Sequence, residues 1–377
     1  MHYRRHYEDL QPYLKKGKVL VIYGPRRVGK TTLIQTFLNT TALVYKLDSG
    51  DNIKTQQILG SQDFSLIADY CEGYQMLVID EAQQIPNIGR GLKIIVDQHP
   101  DLYVIATGSS SFDLSQQIGE PLTGRKRTLT LYPLSQIELR QHFNLHELSE
   151  NLENFLLFGG YPEIHTLKTS KEKIECLDEL AHAYLLKDIL SLERIKSSQT
   201  VMNLLKMLAF QIGNEVSFSE LANNLAINVK TVQRYLDLLE KSFVIIPLTA
   251  YSRNLRSELK RKQKYFFWDL GIRNALISQF NPLSLRNDQG ALWENFVVTE
   301  RLKKHAYKGL ISTSYFWRNY RQQEIDLIEE QGGTLLAFEC KWKHHSKSIL
   351  PPAEWRATYP ESAFSVVTPD NYLKFVL

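Results

Sequence analysis

A chain of 377 residues, 43% of them hydrophobic and 23% charged, can build a normal core but is too long for one common domain, so two or three domains are expected. Its 45 Lys and Arg against 41 Asp and Glu give a formal net charge of +4, which excludes a uniformly basic surface and leaves polyanion contact to local clusters. Cys71, Cys176 and Cys340 stand far apart and form no ligand pair, which argues against a zinc centre and for a reducing compartment. The charged start, Met1-His2-Tyr3-Arg4-Arg5, is not followed by an apolar leader, and runs such as Phe243 to Leu248 are strand-sized. A cytoplasmic protein with no membrane contact is expected.

Lys18-Val19-Leu20-Val21-Ile22-Tyr23 reads as a strand covered on both faces. Gly24-Pro25-Arg26-Arg27-Val28-Gly29-Lys30-Thr31 follows at once, and Thr32 opens a stretch with helical spacing. Strand, glycine-rich loop and helix in this order make a phosphate-binding loop. Its backbone N–H groups and the helix N-terminus attract the phosphates of ATP. Lys30 reaches the β and γ phosphates, and the Thr31 hydroxyl completes a Mg²⁺ shell.

Met76-Leu77-Val78-Ile79 delivers Asp80 and Glu81 to the C-terminal end of a second apolar strand, the edge where ligands of open parallel sheets bind. There Asp80 would hold Mg²⁺ and Glu81 would polarise the attacking water. A third strand, Leu102 to Ala106, leads into Thr107-Gly108-Ser109-Ser110-Ser111, where Ser109 either senses the γ-phosphate or belongs to a solvated turn. Gly124-Arg125-Lys126-Arg127 precedes a strand at Thr128 to Tyr132. Arg125 or Arg127 is either a finger on a neighbouring subunit's nucleotide or part of a basic loop. The motif order resembles the bacterial and archaeal AAA-type ATPases, as do Leu131-Tyr132-Pro133-Leu134-Ser135 and Phe158-Gly159-Gly160-Tyr161-Pro162. That resemblance implies a C-terminal domain of nuclease-like fold.

From Leu152 to Leu192 the pattern is helical. Ser217 to Leu225 and Val229 to Ser242 then read as two helices joined by Ala226-Ile227-Asn228. In the second, Val232, Leu236 and Leu239 share a face, which leaves Lys230, Thr231, Gln233 and Arg234 outward, as on a recognition helix. Strands at Phe243 to Leu248 and Tyr265 to Trp268 flank a wing carrying Arg253, Arg256, Lys260, Arg261, Lys262 and Lys264. This winged helix either contacts DNA phosphates through those cations or packs domains together.

Gly332-Gly333 joins Glu324-Ile325-Asp326-Leu327-Ile328 to Leu335 through Lys343 as a tight hairpin. Counting outward from Gln331 opposite Thr334 puts Asp326 opposite Glu339 and Glu324 opposite Lys341. Opposed carboxylates need a cation between them, either a divalent metal or a neighbouring lysine. Asp326 with Glu339-Cys340-Lys341 resembles the restriction-endonuclease superfamily, and Glu294, in an apolar helical run, matches its upstream helical acid. The resemblance implies metal ligation by Glu294, Asp326 and Glu339, with Lys341 steadying charge.

The expected architecture is α/β: a P-loop domain with a parallel sheet at 1–150, a helical linker with a winged helix at 151–270, and a small restriction-endonuclease-like domain at 271–377. The expected function is ATP hydrolysis serving an action on DNA, with metal-dependent cleavage by the C-terminal domain. The alternative is a non-nucleolytic, ATP-dependent switch that binds DNA or a protein partner, and a homo-oligomer is a further possibility.

Overall fold

The computed structural model of the chain describes residues 3–109, 122–184, 197–252, 263–343 and 349–377. Two sheets organise it. The first has five parallel strands: β1 (Val19–Tyr23), β2 (Tyr45–Ser49), β3 (Met76–Asp80), β4 (Tyr103–Gly108) and β5 (Lys126–Thr130), in the order β2-β3-β4-β1-β5. Every residue of β1 is buried, as its continuous apolar run requires of a strand covered on both faces. Helices α1 (Lys30–Leu38), α2 (Ile53–Gly60), α3 (Phe64–Cys71) and α4 (Ile88–Gln98) supply that cover.

The stretch expected as one helical run is divided. After α5 (Gln136–Leu139) and α6 (Leu145–Glu150), helix α7 (Leu152–Phe158) ends at Gly159, and α8 (Ser170–Glu179) begins behind a Thr169–Glu172 capping box. Beyond α9 (Ser198–Phe210) and the short strand β6 (Glu215–Val216) come α10 (Phe218–Leu225) and α11 (Val229–Lys241). The expected helix pair is therefore present, with Ser217 and Asn228 as N-caps and Val232, Leu236 and Leu239 buried on one face of α11.

The hairpin strands that follow are β7 (Ile245–Ala250) and β8 (Gln263–Phe267); Phe243, expected to begin the first, sits instead in a turn with φ 57°. Helices α12 (Leu270–Leu276) and α13 (Gln289–Lys308) lead to strands β9 (Thr313–Arg318), β10 (Glu324–Gln331) and β11 (Thr334–Cys340). After these come α14 (Ala353–Thr358), strand β12 (Ala363–Val367) and α15 (Tyr372–Val376).

The hairpin β7–β8 is not a free-standing wing. Thr249 and Ala250 pair in parallel with Tyr315 and Phe316, so the second sheet runs β12-β11-β10-β9-β7-β8-β6 without a break across residue 270. The hydrophobic core crosses the expected boundaries as well. Leu20 of the first sheet, Phe158, Leu236 and Phe296 all belong to one buried cluster. The first sheet's domain is tied to α13 through buried polar contacts: the Gln136 N–H donates to Glu300 at 2.6 Å, and Lys303 pairs with the same carboxylate at 2.8 Å.

Asn295 fixes α13 against β8. Its side chain accepts from the Phe267 N–H at 2.7 Å and donates to the Phe267 carbonyl at 2.8 Å, both buried. Asn295→Ala removes both bonds and leaves buried polar groups unpaired. Chemical denaturation should show a loss of roughly 2–4 kcal/mol; an unchanged midpoint would mean that α13 is held on β8 by apolar packing alone.

Candidate functional site

The phosphate loop follows the C-terminal end of β1 and leads into α1. Gly24 and Gly29 are needed for different reasons. A Cβ on Gly24 would lie 2.1 Å from the Leu131 carbonyl, whereas one on Gly29 would meet nothing within 4 Å; there the positive φ of 93° excludes other residues. Lys30, 4% exposed, donates to the carbonyls of Gly24 and Pro25 at 2.8 Å each, so its ammonium lies inside the loop. Val28 is buried beneath the loop, and Thr32 is exposed on the first turn of α1. Arg27, with φ 59°, pairs with Glu163 at 3.0 Å and Glu179 at 3.4 Å, which links the loop to α8 and the segment before it. Arg26 lies half-buried beside it.

Asp80 at the end of β3 faces the loop across β4. The Thr31 hydroxyl donates to Asp80 Oδ2 at 2.7 Å, and the Thr107 hydroxyl donates to Asp80 Oδ1. A hydroxyl and a carboxylate side by side are a hard-oxygen donor set that fits Mg²⁺. Glu81 has φ 50°, a left-handed conformation unusual for a residue with a Cβ. Its backbone N–H donates to Thr107 Oγ1 at 2.9 Å, and its carboxylate accepts from Gln83, which also donates to Ser109 at 3.3 Å. Ser109 therefore joins the site through Gln83. Thr107 and Gln83 are the members that sequence reasoning missed, although Thr107 opens the polar run at the strand end.

Arg125 is not brought to its own phosphate loop. Its carbonyl accepts from the Val19 N–H at 2.8 Å, where β1 begins, so it lies on the opposite edge of the parallel sheet. Its guanidinium pairs with Asp97 at 2.6 Å, while Arg127 donates to the Pro12 carbonyl. Neither arginine acts on this chain's own nucleotide from there.

The second constellation lies on the second sheet. The Gly332-Gly333 register is as expected, with Gln331 opposite Thr334 and Leu327 opposite Phe338. On the other side the β9–β10 pairing shifts between Ile325 and Ile328. That irregularity puts both isoleucines in one small core with Trp317 and Trp355, where strict alternation would separate them. Beside it, Asp326 Oδ2 accepts from the Cys340 N–H at 2.7 Å. Ligand atoms of Glu294, Glu324 and Asp326 lie within 4.8 Å of one another, a set that fits a hard divalent cation. Glu324 thus stands with Glu294 and Asp326 where Glu339 was expected. Glu339 accepts from Lys341 at 2.6 Å.

The expected role of Lys264 is overturned. Read as a wing cation for DNA phosphates, it is 1% exposed, because β8 is an inner strand between β7 and β6. Its ammonium pairs with Glu294 at 2.8 Å and contacts Glu324 directly. The other wing cations, Arg253, Arg256, Lys260, Arg261 and Lys262, lie outside the described residues. Lys230, Gln233 and Arg234 are exposed at the start of α11, with Thr231 partly covered.

Burial, reinforced by Asp326 and Glu324, pushes the Glu294 carboxyl up to about 8 against the pull of Lys264. Burial and the Asp326 charge bring Glu339 to about 6. Burial likewise raises Asp326, and Lys264 and the Cys340 N–H oppose that rise. For Lys264 itself, burial favours the neutral amine, but Glu294, Glu324 and Asp326 outweigh it and raise its pKa.

An AAA domain matches residues 16–140, and two domains of unknown function match 149–283 (DUF8612) and 289–371 (DUF4143). An uncharacterized protein of Mycobacterium tuberculosis is 30% identical over 336 residues, covering 88% of this chain and 72% of its own length. An uncharacterized protein of Methanocaldococcus jannaschii is 24% identical over 339 residues, covering 85% of this chain and 74% of its own length. A Walker-type ATPase of Pyrococcus abyssi superposes with a TM-score of 0.49 at 18% identity, over 69% of this chain and 91% of its own. Among the described residues no helix is long and apolar enough to cross a membrane.

Divalent binding at the acid set requires Glu294 to give up its proton. Below its value of about 8 a proton competes, so the affinity should fall by about tenfold per pH unit and level off above that value. Calorimetric Mn²⁺ titrations across this range check the sign; binding that strengthens as pH falls would contradict it.

Proposed function

We propose a function from one premise: the chain belongs to the family of AAA-domain proteins that includes its mycobacterial relative. Its N-terminal part is an AAA-type P-loop ATPase domain. We infer that this domain hydrolyses ATP to drive an action on DNA, and that the C-terminal acid set cleaves DNA with a divalent cation.

In the ATPase reaction Lys30 binds the β and γ phosphates, and Thr31 and Asp80 would hold Mg²⁺, which would offset phosphate charge. Glu81 orients and polarises a water. The water oxygen bonds to the γ-phosphorus, the bond to the β–γ bridging oxygen breaks, and ADP and inorganic phosphate leave. Thr107 and Gln83 hold Asp80 and Glu81 in place.

The convergence of Glu294, Glu324 and Asp326 beside the Glu339–Lys341 pair carries the second half of the reading. A metal there would lower the pKa of a bound water and offset phosphate charge. Glu339, poised near 6, suits a base at neutral pH, and Lys341 suits the developing charge on the phosphate. In the reaction one P–O ester bond is replaced by a bond to the water oxygen. The order of α10, α11 and the β7–β8 hairpin supports a winged helix, with Lys230 and Arg234 on its exposed face as phosphate contacts. A restriction-endonuclease-like identity for the C-terminal domain rests on the same acids and Lys341.

Purified full-length protein, given plasmid DNA, ATP and Mg²⁺ or Mn²⁺, should nick the plasmid, and Asp326→Ala should not. Glu81→Gln should lower ATP turnover by about a hundredfold or more. Lys230→Ala should weaken DNA binding evenly across sequences and reduce the salt slope by about 0.9. Equal nicking by wild type and Asp326→Ala, or none with any divalent metal, would leave the non-nucleolytic switch as the account of the C-terminal domain.

A further inference from the structure

Lys264 has no place in the reaction just described, yet it sits at the centre of the acid set. Its Cα is fixed on both sides, opposite Leu248 of β7 and Glu215 of β6. Its ammonium passes 5.3 Å from the centre of the Phe316 ring and ends on Glu294 Oε1, 2.8 Å away, and on Glu324 Oε1. Those two acids are two of the three groups that would ligate a divalent cation. A metal would bind the same oxygens at about 2.0–2.6 Å. It would then stand only about 3–4 Å from the ammonium, where the repulsion between a doubly charged ion and a lysine is weakly screened by buried surroundings. The two cations exclude each other.

The surroundings also give the ammonium another seat. Glu215 lies directly opposite Lys264 on the neighbouring strand, and opposed residues of an antiparallel pair share a face with Cβ atoms roughly 5 Å apart. Arg318 stands 3.7 Å from both Glu215 and Glu324, so one guanidinium spans the two acids. A small swing of the lysine toward Glu215, with Arg318 turning away from Glu324 toward Gln322, to which it already donates, would open the set without breaking the sheet.

We propose that Lys264 is a built-in counter-ion that closes the acidic site to divalent metal, so that metal enters only by displacing its ammonium from Glu294 and Glu324. This rests on the metal-dependent reading of the C-terminal domain and adds its regulation. The contact is supplied by the β7–β8 hairpin rather than by the segment that carries the acids, so access to the site depends on how that hairpin is held.

The test is Mn²⁺ binding to the nucleotide-free, full-length chain, followed by paramagnetic resonance, for wild type, Lys264→Met, Lys264→Arg and Asp326→Asn. Lys264→Met should bind at least about tenfold more tightly than wild type. Asp326→Asn should lose binding, and Lys264→Arg should stay as weak as wild type. If Lys264→Met does not fold, Lys264→Gln, which keeps hydrogen bonding without charge, should show the same gain. Asp326-dependent binding in wild type that is no tighter without the Lys264 charge would overturn the gate and leave the metal reading standing. No Asp326-dependent binding in wild type or in either neutral variant would overturn both.

Discussion

The ammonium of Lys264 between Glu294 and Glu324 is the contact around which the C-terminal half is arranged. Buried carboxylates this close cannot all be ionised without a positive partner, and a lone buried lysine is equally costly. Satisfying both requires three segments to meet: β8 from the hairpin, α13 with Glu294, and β10 with Glu324 and Asp326. The Asn295 clamp on Phe267 and the parallel pairing of β7 with β9 are what bring them into register. The seven-stranded sheet is the consequence, and it makes the middle and C-terminal parts of the chain one structural body.

At the other end the nucleotide loop is built on an independent principle. A fully buried parallel strand ends where Gly24 passes close under the Leu131 carbonyl and Gly29 supplies a positive φ, and Lys30 and the Thr31–Asp80 pair then line the turn. The two sites are joined by packing rather than by a linker. Arg27 reaches from the loop to Glu163 and Glu179, and Gln136 docks on Glu300 of α13, the helix that carries Glu294.

Much of the first part was legible in the sequence because its signals are local. Strand, glycine loop and helix are contiguous, and Asp80-Glu81 ends a continuous apolar run of strand length. The hairpin register was legible for the same reason: Gly332-Gly333 fixes it within a few residues. What local pattern could not provide was the partner of a strand far along the chain. Lys264 follows a run of cations, and on sequence alone it belongs with them; only the long-range β7–β9 pairing and β6 on the other flank bury it. Glu324 was left out of the expected metal set for a related reason, since its approach to Glu294 depends on α13 and on the β9–β10 irregularity. Thr107 was hidden by its neighbours, because several hydroxyls stand at the end of β4 and only the fold shows which one reaches Asp80.

The most direct test of the account is to locate Mn²⁺ by anomalous scattering in crystals of the full-length protein with a non-hydrolysable ATP analogue. One peak is expected at Thr31 and Asp80, and a second among Glu294, Glu324 and Asp326 with the Lys264 ammonium withdrawn toward Glu215. A peak at the nucleotide alone, with Lys264 still on Glu294 and Glu324 at saturating Mn²⁺, would contradict it.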